Sequence, residues 1–157
     1  MSDVVAKLNH DYVVLHYIAS FLLIFVCSFS YGQSDEFLEM NALAESGDVE
    51  AQFYLAYTYD NGIGVPENDK TAVKWYTKAA EQGLAVAQYT LGLMYANGDG
   101  VLSSNVKAYM WYNLAAFNGD EDASKNKDII SKRMTNEQIG RAQDLSEACL
   151  AKDCKGC

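Results

Sequence analysis

Tyr59–Gly83 reads YDNGIGVPENDKTAVKWYTKAAEQG, and Tyr95–Gly119, thirty-six residues on, reads YANGDGVLSSNVKAYMWYNLAAFNG. Setting residues 47–80 over 83–116 without a gap pairs identical residues at 14 of 34 positions. These are Gly47, Ala51, Gln52, Leu55, Tyr59, Asn61, Gly62, Gly64, Val65, Ala72, Trp75, Tyr76, Ala79 and Ala80 with their counterparts one period later. A period of this length marks supersecondary units that cannot bury an apolar face alone and do so by stacking. The expected fold is an all-α solenoid.

Each unit reads as two helices. Ala51, Leu55 and Tyr59 lie four apart on one face of the first, as do Ala87, Leu91 and Tyr95 in the next unit. Ala56 and Gly92 share a slot where a small residue lets the second helix come close. Asn61-Gly62 and Asn97-Gly98 stop the first helix, because glycine adopts the left-handed backbone of a C-terminal cap. Gly64 and Gly100 then permit the reversal. Ala72, Trp75, Tyr76 and Ala79 recur at i, i+3, i+4 and i+7 as the inner stripe of the second helix, as do Ala108, Trp111, Tyr112 and Ala115. Identical placement of Trp75, Tyr76, Trp111 and Tyr112 points to core packing rather than an aromatic binding box.

A third unit starts at Gly119 and loses the match, keeping Ala123 in the Ala51 slot. Glu121 and Asp122 read as first-turn charges favouring a helix N-terminus. Thr135–Gln138 (TNEQ) is a capping box, with Ile139, Ala142, Leu145 and Cys149 as the expected inner stripe of the last helix. The domain reading is a leader over 1–32, an N-terminal capping helix over 33–46 and repeats over 47–82 and 83–118. A degenerate C-terminal cap over 119–149 and a cysteine-bearing tail over 150–157 complete it.

The strings AQFYLAYTYDNGIGVPENDKTAVKWYTKAAEQG and AQYTLGLMYANGDGVLSSNVKAYMWYNLAA resemble the Sel1-like repeat family, relatives of tetratricopeptide repeats. The resemblance implies a right-handed α/α solenoid that binds another protein or a peptide and performs no chemistry. In related helical repeats ligands lie along the concave face of the first helices. Carrying that register across selects Glu50, Phe53, Tyr57 and Asp60 in the first unit, and Val86, Tyr89, Leu93 and Ala96 in the second. These positions differ between the units while the packing positions repeat. Aromatic side chains beside carboxylates suit an extended peptide carrying a basic residue.

Some cysteine-rich Sel1-like proteins bind or hydrolyse β-lactams, which makes a hydrolase the alternative reading. Ser104–Lys107 and Ser124–Lys127 both fit the serine-x-x-lysine pattern of penicillin-recognising enzymes. Neither is accompanied by S-D-N or K-T-G, and the repeats contain no cysteine. No catalytic residue is expected.

The N-terminal segment differs in kind. Tyr17–Phe29 (YIASFLLIFVCSF) holds no charge and is followed by SYG and then QSDE. This reads as a secretory signal cleaved after Ser30 or Gly32. Asp3, Lys7 and Asp11 leave the leader without a positive excess, and residues 12–31 approach bilayer-spanning length, so a membrane-anchored envelope adaptor is the second alternative. Val26, before Cys27, is bulkier than a lipoprotein cleavage site usually accepts. Export to the periplasm or beyond is the expectation shared by most of these readings.

The chain of 157 residues is 50% hydrophobic and 21% charged, with a net charge of -9. Such a charge is repelled by phosphate backbones, so nucleic acid is not an expected partner. Both histidines, His10 and His16, fall in the leader, which removes the commonest general base and metal ligand from the rest. No cofactor and no metal are expected. Cys149, Cys154 and Cys157 suit a disulfide pinning the C-terminus in an oxidising compartment, with the pairing open and one thiol left over. Three thiolates fall one short of a structural zinc site.

Overall fold

The computed structural model describes residues 35–154 and 156–157. The leader and its cleavage positions lie outside the described residues. Met40–Cys157 form a compact unit.

Seven helices and no strand are present among the described residues: α1 (residues 35–46), α2 (Val49–Asn61), α3 (Asp69–Ala80), α4 (Ala85–Asn97), α5 (Asn105–Phe117), α6 (Glu121–Ser131) and α7 (Asn136–Leu150). Consecutive helices pair as α2 with α3 and α4 with α5. The pairs stack, α3 packing on α4, α5 on α6 and α7, and α4 on α6. The fold is an all-α solenoid.

Local chemistry sets the helix ends. Asp48, Asn68, Ser104, Asp120 and Thr135 each accept a backbone N–H at a helix N-terminus through the side chain, satisfying donors that the helix leaves orphaned. Thr135 and Gln138 form the reciprocal capping box. Gly62 and Gly98 close α2 and α4 in the left-handed region (φ 64° and 93°), their N–H groups donating to Thr58 and Met94.

The first-helix stripes are fully buried at Ala56, Leu55, Ala87 and Leu91. Each leucine contributes about 1.5–3 kcal/mol relative to an exposed one. Tyr76 is 1% exposed, Trp111 and Tyr112 3%, and Trp75 9%. The Tyr112 ring lies over Gly92, where a Cβ would come within 2.4 Å of two ring carbons. That slot accepts only glycine while the tyrosine stays in place.

Stacking also uses a buried polar clasp that recurs with the period. The Gln52 amide donates to the Ala44 carbonyl and the Gln88 amide to that of Ala80, both at 3.0 Å. Gln82 in turn donates to Gln52 Oε1 (2.8 Å), and Asn118 to Gln88 Oε1 (2.9 Å). Gln52 and Gln88 are buried, and their bonds offset the desolvation of the amides.

The inner stripe of α7 departs from expectation. Leu145 is 38% exposed and Ser146 takes the inward place with no exposure. Steps of 142–145–149 and 142–146–149 both fit helical periodicity, so spacing does not separate them. The Ser146 hydroxyl donates to the Ala142 carbonyl at 2.9 Å, which lets a small polar residue sit at the close approach of α5 and α7.

Candidate functional site

The first-helix face divides by burial. On α2, Tyr57 is 46% exposed and Glu50 is exposed, while Phe53 and Asp60 are half-buried. Tyr54, which the repeat register does not select, is also exposed. Phe53 packs on Tyr76 at a ring-centroid distance of 5.5 Å and meets Tyr54 edge-on at 5.7 Å. These contacts hold the aromatic floor from which Tyr57 projects.

On α4, Val86 is exposed, and Tyr89, Leu93 and Ala96 are half-buried. Tyr89 packs on Tyr112 at 5.9 Å, and its hydroxyl accepts a hydrogen bond from Asn126 Nδ2 at 3.0 Å. Tyr89 and Leu93 also pack against the core cluster containing Tyr112, Ala123 and Ile130. The α4 half of the face is therefore more committed to packing than the α2 half.

Asp60 anchors the acidic end. The Tyr76 hydroxyl donates to its carboxylate at 3.4 Å. Burial pushes the Asp60 carboxyl above its ordinary value; the Tyr76 hydrogen bond opposes this, and the charges of Asp69, Asp99 and Glu67 add to the rise. The physical content is four carboxylates sharing one end of two adjacent units. The folded chain holds the Asp60 proton to a higher pH than the unfolded chain. Its contribution to stability consequently falls as pH rises through the interval above 3.8. Asp60→Asn is expected to melt at a higher temperature than the parent at neutral pH, the gap closing below that interval. Equal melting temperatures at pH 7 would show that the half-buried Asp60 charge carries no cost.

Of the two serine-x-x-lysine stretches, Ser104 is the α5 cap, its hydroxyl accepting the Lys107 N–H at 3.3 Å. Ser124 is exposed, and Lys127 donates to Asn113. These contacts assign structural parts to Ser104 and Lys127.

At the C-terminus the structure joins Cys149 to Cys157 in a disulfide with a Cα–Cα distance of 5.4 Å. Cys154 is a buried free thiol. Asp153 and Cys154 both adopt left-handed backbone (φ 51° and 60°), and the Cys154 N–H donates to the Cys149 carbonyl at 2.8 Å. The tail thereby doubles back on the end of α7. No helix among the described residues is long and apolar enough to cross a membrane.

Stacked helical hairpins with a variable first-helix face define a helical-repeat binding protein. The Sel1 repeat family matches residues 49–84 and 85–120. The fold is shared with a Sel1 repeat protein from Oxalobacter formigenes, 32% identical over 69% of this chain and 98% of that one, with a TM-score of 0.55. A protective antigen present in uropathogenic Escherichia coli strains, displaying an SLR fold, is 34% identical with a TM-score of 0.72. That match covers 75% of this chain, which spans only 26% of the antigen's length. No curated protein matches. The chain belongs to the Sel1 repeat family, whose members serve in general as protein-interaction scaffolds.

Proposed function

We propose that this chain is an exported, non-catalytic adaptor whose α2 and α4 face binds an extended peptide segment carrying a basic residue. The observation that carries the reading is the exposed Tyr57, one turn before Asp60 with its three neighbouring carboxylates. A cationic group at that end offsets the cost of the half-buried Asp60 charge and, after it, the repulsion from Asp69, Asp99 and Glu67, and the aromatic surface supplies apolar contact. Glu50, Phe53, Tyr57, Asp60, Tyr89 and Leu93 are the contact set. Affinity comes mainly from the apolar contacts, while the carboxylates set orientation and a salt-sensitive association rate.

Panning the full chain against a random peptide display library tests this. Lysine or arginine beside apolar residues is expected in the selected peptides. Tyr57→Ala and Tyr89→Ala are each expected to weaken the tightest of them by about 1 kcal/mol or more, with helicity unchanged. Undiminished affinity in both variants, with loss on changes in α3, α5 or the tail, would move the site elsewhere.

Export rests on the apolar Tyr17–Phe29 run and the small residues after it. N-terminal sequencing of the protein expressed in a bacterial host is expected to read Tyr31 or Gln33 first. A mature chain still beginning near Met1 favours the anchored form instead.

A further inference from the structure

We propose that Cys149, Cys154 and Cys157 form a redox-gated site for Zn(II), closed by the disulfide and opened by its reduction. The three sulfur atoms lie within 4.8 Å of one another, although they are spread over nine residues. The disulfide brings Cys149 and Cys157 together; the placement of Cys154 beside them is independent of that bond. Two successive residues in the left-handed region turn Cys154 back toward Cys149, a conformation that L side chains rarely adopt. Cys154 is 5% exposed and Cys149 3%, while Cys157 is exposed. Two donors are thus held by packing and the third closes from solvent.

The disulfide accounts for two of these sulfurs and leaves the buried third without a covalent task. Thiolates are soft donors that select zinc, monovalent copper and iron–sulfur clusters. Asp153, adjacent to Cys154 in the chain, and Glu81 both line the cavity beside the tail, and this pair of carboxylates favours a cation. It also favours the less negative of the candidate complexes. Three thiolates leave one excess negative charge on a divalent ion and two on a monovalent one, which decides for Zn(II). The fourth zinc position, which three protein ligands leave open, takes an oxygen donor such as water. An open cavity of about 480 Å³, lined by Gln52, Lys78, Glu81, Gln82 and Asp153, adjoins the tail and supplies the entry path.

The chemistry balances. A dithiol reductant attacks the Cys149–Cys157 bond, transfers two electrons and two protons to the protein sulfurs and leaves as its own disulfide. Zinc then displaces the three thiol protons and forms three zinc–sulfur bonds. The juxtaposition changes the expectation from sequence, in which three cysteines alone carried no metal.

The test uses the full chain, reduced with a phosphine, freed of reductant without oxygen and titrated with Zn(II) against a chromophoric chelator. One zinc per chain is expected in the reduced protein and none at the same chelator strength in the oxidised one. Cys27→Ser is the control and is expected to bind as the parent does. Cys154→Ser retains the disulfide pair and is expected to bind more than about a hundredfold more weakly, the upper end of what losing an outer-shell partner costs. Cys157→Ser removes the disulfide, so it is compared with the reduced parent, which lacks the same bond; equal helicity of the two is the folding check, and the same loss of zinc is expected there. Reduced protein that takes up no zinc, or uptake that survives either tail substitution, overturns the proposal.

Discussion

Gly100→Ala is expected to destabilise the protein by roughly 2–4 kcal/mol, and Gly64→Ala by only about 1–2 kcal/mol, although the two glycines hold the same place in successive units. Both adopt left-handed backbone, at φ 66° and 71°, so both substitutions carry the conformational cost of an L side chain there. The surroundings differ. A Cβ on Gly100 would lie 2.6 Å from the Asp69 backbone carbonyl carbon and oxygen, whereas nothing lies within 4 Å of the Cβ position on Gly64. The turn between α4 and α5 thus rests on the first residue of α3, and backbone there has no rotamer with which to move aside. The difference between the two variants measures one contact between repeats. Urea denaturation at an unchanged slope is the measurement; equal shifts in midpoint would mean that the units are not seated on each other at Gly100.

Trp111→Ala is expected to cost roughly 3–5 kcal/mol, with Trp75→Ala toward the lower end of that range. Trp111 is 3% exposed in the centre of the stack. Its removal leaves a cavity in the buried interior of the repeat. Trp75 is at the edge of burial, and the Lys78 ammonium sits 3.8 Å from its ring centroid. That substitution forfeits a cation–π contact as well as packing, but the smaller enclosure reduces the cavity term. Either loss is a large share of the stability of a small domain. If Trp75→Ala melts like the parent and instead abolishes peptide binding, the residue belongs to a site and not to the core.

The parts of this fold readable from sequence are those that repeat. Leu55 with Leu91, Gly62 with Gly98 and Trp75 with Trp111 recur because each unit solves one packing problem in one way, and the period alone specifies a stacked helical fold. The clasp of Gln52 and Gln88 reads in the sequence as a repeated letter without a role, because its partners are carbonyls of preceding helices and amides of the turns after α3 and α5. Leu145 and Ser146 were indistinguishable by spacing, and only the approach of α5 decides between them. The pairing of Cys149 with Cys157 depends on a left-handed turn at Asp153 and Cys154 that no glycine announces. On the candidate face, variation between units marked the positions. It did not reveal that Tyr89 is tied to Asn126 while Tyr57 stands free to project.

The central claim is that the first-helix face takes the ligand. The direct measurement is nuclear magnetic resonance of the full chain titrated with the tightest selected peptide, following aromatic and methyl resonances. The account predicts that Tyr57, Phe53, Tyr89 and Leu93 shift in a saturable manner while Trp75, Trp111 and the tail stay in place. Shifts confined to α3, α5 or the C-terminal tail, with Tyr57 and Tyr89 unmoved, would contradict it.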